Sequence, residues 1–125
     1  MDFGLLTLRV VHITAAMLWV GGGIIGSFFL NPTAKALGPS AQPFMDHLAS
    51  RRRMSIYFPV VATLTVVAGA FLYWRDSGGL RAEWIASPTG LAFTIGALCG
   101  IASLVLGGVL VGPSLSEQSA VQNEL

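Results

Sequence analysis

Between Val10 and Leu30 the chain has one ionisable side chain, His12, and no Asp, Glu, Lys or Arg. At about 1.5 Å of rise per residue, that run alone crosses a hydrocarbon core roughly 30 Å thick. An ionisable group at such a depth is costly, which makes it a candidate functional site. One helix face carries His12, Ala16, Trp19, Gly23 and Gly26, at offsets of 4, 7, 11 and 14. An imidazole set among glycines and an indole has three uses. It can hydrogen-bond a backbone carbonyl or a threonine. It can ligate haem iron or a pigment, with Trp19 as an aromatic plate. It can bind copper or pass protons.

Other chemistry is sparse. Met17 is five residues beyond His12, about 140° round the helix, a poor angle for a shared copper ion. His47 lies beside Asp46 and reads as a solvated loop residue. The helix from His12 to Leu30 is about 27 Å long, so His12 and His47 cannot hold one haem within a chain. A second axial ligand is then absent, weak or supplied by a partner. The single cysteine, Cys99, lies in an apolar run and reads as packing. No nucleophile–base pair, paired carboxylate, phosphate loop or Cys-x-x-Cys occurs, and the spans contain no acid. No catalytic residue is assigned, and the pattern leans away from an enzyme acting alone. If there is an activity, it is that of a membrane oxidoreductase.

These residues need helices in a membrane to position them. The chain has 125 residues, 54% hydrophobic and 10% charged, with mean hydropathy +0.72. Those values exclude an ordinary soluble domain and a disordered chain. A net charge of +1 gives no field for nucleic acid. The expected fold is an all-α integral membrane protein: one domain, 1–125, of three spans in an up-down bundle. The spans are near 5–30, 55–74 and 89–111. Ala34-Lys35-Ala36 has the look of a cleavage site, but the apolar run before it is too long for a signal peptide and reads as an uncleaved span.

Asn31-Pro32 is expected to end the first span, because proline cannot continue the ladder. A cytoplasmic loop, 31–54, follows. Within it a short interfacial helix, Phe44 to Ser55, is expected to run into the second span, with Ser40 as a possible cap. Pro59 is expected to kink that span or to sit near its first turn. Ser87-Pro88 has the pairing of an N-cap with a first-turn proline and opens the third. Gly112-Pro113 stops it, and 114–125 is a polar tail. Four of seven basic residues, Lys35, Arg51, Arg52 and Arg53, lie between spans one and two. The positive-inside rule puts that loop in the cytoplasm of a bacterial inner membrane, with the N-terminus outside and the C-terminus inside. Arg51, Arg52 and Arg53 then anchor the topology on anionic membrane lipid.

Glycine rows suggest close helix contact: Gly22-x-x-x-Gly26, Gly96-x-x-x-Gly100 and Gly108-x-x-x-Gly112. They fit helices of this chain, a partner subunit's helix, or a flat cofactor. Glycine on several faces of so small a protein suggests a homo-oligomer or a subunit of a larger membrane complex.

Two stretches carry a family resemblance. One is Val11-His12, Trp19 and Gly21-Gly22. The other is Phe44-Met45, Leu48, Arg51 to Arg53, Pro59, Thr63, Gly69 and Leu72. Over roughly residues 8 to 74 the chain resembles the membrane domain of copper-resistance protein D (CopD)-like proteins. It is similar, more distantly, to HemJ-type protoporphyrinogen oxidases. The resemblance implies a small bundle, typically of four spans, with copper-linked or haem-linked redox function. In the oxidases a first-span histidine is implicated in binding b-type haem, a role that would fall on His12. Those oxidases also carry a lysine in the third span, which Thr89 to Val111 lacks, and a fourth span. The alternative is a non-catalytic accessory subunit packed on a larger respiratory or photosynthetic complex.

Overall fold

The computed structural model describes residues 1–110. Among them there is no strand, and three helices are long and apolar enough to cross a membrane. The first begins with α1 (Phe3–Ile25), whose first turn is capped where the Leu5 amide donates to the Asp2 carboxylate. The second is α4 (Met54–Asp76) and the third is α6 (Pro88–Leu110), each of 23 residues. At about 1.5 Å per residue, each is about 35 Å long.

The first helix does not stop at Asn31-Pro32. A five-residue wide turn, Gly26–Leu30, follows α1, and the helical path continues as α2 (Asn31–Leu37). Proline lacks an N–H and its ring crowds the preceding turn. The wide turn, in which Asn31 N–H reaches back to Gly26 C=O, loosens the ladder just ahead of Pro32 and lets the helix continue. The true break is Gly38, at φ +58°. Beyond it come a tight turn, Gly38–Ala41, then α3 (Gln42–Asp46) and a second wide turn, His47–Arg51. The expected loop is therefore almost entirely helical, and no side-chain cap from Ser40 opens α3. The interfacial segment also does not run on into the second span. Arg53 adopts a left-handed conformation, φ 53°, and separates it from α4.

The core is a seam of small residues between α1 and α4: Ala15 on one side, Val61, Ala62, Thr65 and Ala68 on the other. Lipid gives apolar side chains no reason to leave the surface, so close backbone approach is what holds helices together. Large apolar residues such as Val10, Phe28, Phe71 and Leu98 accordingly point outward. The α1 N-terminal end meets the α4 C-terminal end through the Asp2–Arg75 and Arg9–Asp76 ion pairs. Further along, the Tyr57 hydroxyl donates to Leu18 C=O. Ser77, 1% exposed, anchors the next turn by accepting from Leu80 N–H, and Gly78, Gly79 and Leu80 all take positive φ. The short α5 (Ala82–Ile85) follows and sets Trp84 edge-on to Tyr73, with centroids 5.4 Å apart.

The expected Ser87 cap is present: the Gly90 amide donates to Ser87 Oγ, 3.1 Å. Span three matches expectation over its described length; Val111, Gly112, Pro113 and the tail lie outside the described residues. α6 packs on α4 but barely meets α1. That asymmetry leaves a wedge between α1 and α6, floored by α4.

Candidate functional site

The wedge is a cavity of about 700 Å³. From α1 it is lined by Arg9, His12, Ala16 and Trp19; from α4 by Thr65, Gly69, Tyr73 and Asp76; from α6 by Phe93, Gly96, Ala97 and Gly100. Trp84 of α5 lines it as well. His12 and Trp19 are brought together as their seven-residue spacing predicts, and two glycines of α6 face them across the space.

His12 is fixed from α4. Its Nδ1 lies 2.8 Å from the backbone oxygen of Thr65. A carbonyl oxygen only accepts, so Nδ1 carries the proton and donates. That oxygen has two lone pairs and can take the imidazole without surrendering its place in the α4 ladder. The Thr65 hydroxyl turns back to Val61 C=O at 2.7 Å, so it does not compete for the ring. Gly69 makes room: a Cβ there would sit 2.8 Å from His12 Cε1. The ring therefore rests on bare backbone. Nε2 makes no hydrogen bond among the described residues, and no unpartnered side-chain nitrogen or oxygen is sealed from the surroundings there. In the uncharged ring Nε2 holds a lone pair open to the cavity.

This donor arrangement is the one that orients a metal-ligating histidine, with one ring nitrogen tied to a carbonyl and the other free to coordinate. It is also a satisfied structural histidine, as one of the sequence readings held. The lining is otherwise apolar and rich in small residues, which suits a flat ring system. The other polar groups are engaged. The Tyr73 hydroxyl is 2.6 Å from Thr94 Oγ1, and Asp76 meets Arg9 at 3.4 Å.

The remaining candidates fall elsewhere. Met17 is 71% exposed and does not line the cavity, so it cannot join His12 on a copper ion there. His47 lies in the wide turn before Arg51, outside the cavity. No cluster of three or more His, Cys, Asp or Glu residues occurs among the described residues. Cys99 is exposed. Of the glycine rows, Gly22 packs against a side chain of α4, with Phe58 about 3.1 Å from a built Cβ. A Cβ on Gly23, Gly26, Gly96, Gly100 or Gly108 would meet nothing within 4 Å, so among the described glycines of these rows only Gly22 is closely packed within the chain. Gly112 lies outside the described residues. Arg51, Arg52 and Arg53 are exposed and make no ion pair among the described residues.

Two residues escaped the sequence reading of the site: Thr65, which holds the imidazole, and Gly69, which admits it. Their one-turn spacing on α4 was a usable signal, a small residue placed to receive a ring from a neighbouring span. Compared with known proteins, the chain matches no family model, no curated protein and no solved structure.

Proposed function

We propose that this is a multi-pass membrane protein that holds haem b in the wedge between α1, α4 and α6, where His12 Nε2 would hold the iron. The carrying observation is the Nδ1–Thr65 hydrogen bond, which orients the ring and leaves Nε2 free. The residues fit such a group. The volume lies in the usual range for small-molecule sites, about 300–1,000 Å³. Gly96 and Gly100 leave space for a flat macrocycle, Gly69 seats the imidazole, and Trp19 offers an aromatic face. Haem bound there supplies an iron that takes up and releases one electron. The chain's part is to orient the ligand ring, exclude water and hold the macrocycle. Among the described residues the one carboxylate lining the wedge, Asp76, is paired with Arg9, so the reading is electron carriage or sensing of CopD-like type rather than a HemJ-like oxidation or a copper site.

The test is an absorbance spectrum of the protein purified in mild detergent, with a haem titration of the protein lacking pigment. A Soret band that disappears in His12→Ala supports the reading. Saturable binding unchanged in His12→Ala rejects His12 as the ligand.

A second reading, a non-catalytic subunit of a larger respiratory or photosynthetic complex or of a homo-oligomer, is favoured by one observation. Gly96, Gly100 and Gly108 of α6 are open and could accept another helix at close range. Failure to bind haem together with co-purifying subunits would favour it. In either case the chain lies in a bacterial inner membrane as an up-down set of spans, with the N-terminus outside. Arg51 to Arg53 sit on the cytoplasmic face against anionic lipid. Single cysteines at Ser40 and Glu83, both exposed, test this. Outside reagent should label the second and spare the first; the reverse pattern overturns the orientation.

A further inference from the structure

Arg9 lies one turn outward of His12 on the same face of α1, about 4.5 Å along the axis. It lines the same cavity, and among the described residues it is the one arginine or lysine that does. Its partner, Asp76, is 3.4 Å away, and the Arg9 side chain is 53% exposed. An ion pair that long and that open to solvent contributes little and is readily exchanged. Arg75, by contrast, is held by Asp2 and does not line the cavity. The wedge is thus largely apolar along its length and carries at one end an Arg9–Asp76 ion pair whose guanidinium is its one arginine or lysine among the described residues.

We infer that Arg9 is an anion clamp that reads the carboxylates of the ligand, exchanging Asp76 for a propionate of a tetrapyrrole. This rests on the haem reading above and adds a specificity element to it. A guanidinium presents paired donors that match a carboxylate, and Asp76 keeps the cation satisfied until an anionic ligand arrives. The clamp sets which way the ligand enters, with its acidic edge outward and its apolar edge toward Trp19 and Gly100. The wedge should therefore discriminate a free-acid porphyrin from its ester.

The experiment compares iron protoporphyrin with its dimethyl ester by Soret titration against detergent-solubilised wild-type protein, Arg9→Gln and Asp76→Asn. The wild type should prefer the free acid. Arg9→Gln should weaken the free acid about fivefold, the scale of a charged contact moderated by solvent, and leave the ester unchanged. Asp76→Asn should bind the free acid at least as tightly as wild type, since it releases the guanidinium. Equal affinity of wild type for acid and ester overturns the clamp while leaving the haem reading intact. So does a parallel loss for both ligands in Arg9→Gln and Asp76→Asn, which would mean that the ion pair only ties α1 to α4. Binding of neither ligand by wild type overturns the haem reading and the clamp with it.

Discussion

The imidazole of His12 lies directly on the backbone of Gly69, at a separation no other residue at position 69 would allow. A Cβ there would meet Cε1 at 2.8 Å and Nδ1 at 3.2 Å. The ring cannot retreat freely, because Nδ1 is held by Thr65 C=O. Gly69→Ala should therefore swing the ring off its carbonyl and cost about 1–3 kcal/mol, as overpacking does. Haem affinity measured by titration should fall with it. A variant with wild-type melting temperature and affinity would show that the ring adapts.

A second glycine is more constrained. A Cβ on Gly90 would lie 1.9 Å from Trp84 C=O, and this neighbour is backbone rather than a mobile side chain. The Ser87 hydroxyl donates to the same carbonyl at 2.6 Å and fixes it. Gly90→Ala should separate α5 from the start of α6 and cost at least about 2 kcal/mol. Thermal unfolding in mild detergent measures this, and a loss within error of zero would refute the account.

The Tyr73 hydroxyl makes the one side-chain hydrogen bond between α4 and α6 among the described residues. Thr94 Oγ1 donates to Gly90 C=O at 2.7 Å, so its oxygen accepts the Tyr73 proton. Interhelical bonds of this type in membranes contribute about 0.6–2 kcal/mol. Tyr73→Phe should lose an amount in that range. A double-mutant cycle with Thr94→Val isolates the pair, and a coupling energy of zero would assign the stability of this contact to Trp84 packing instead.

The N-terminal cap has a pH signature. The Leu5 amide, followed by the Arg75 guanidinium, holds the Asp2 carboxyl below its ordinary value. A depressed folded value stabilises the cap above the ordinary carboxylate range. That contribution fades as pH falls through the ordinary value and is gone below the lowered one. Amide exchange at Leu5 should accelerate over that acid window. In Asp2→Asn the same amide should show no such step once the intrinsic pH dependence of exchange is removed.

How much of this was legible beforehand differs from residue to residue. Three apolar stretches, the Ser87-Pro88 start and the shared face of His12 and Trp19 are properties of local periodicity, and the chain itself carries them. Asn31-Pro32 misled because a proline stops a regular helix but not one preceded by a widened turn, and local sequence does not reveal how five residues distribute their hydrogen bonds. The partner of His12 was beyond local reading for a different reason. Which carbonyl faces an imidazole depends on how α1 and α4 slide and rotate against each other, 53 residues apart in sequence. The wedge itself exists because α6 leans on α4 and not on α1. In lipid, apolar faces have no drive to close on one another, so helix arrangement is decided by close packing and a few hydrogen bonds that only the assembled structure brings together.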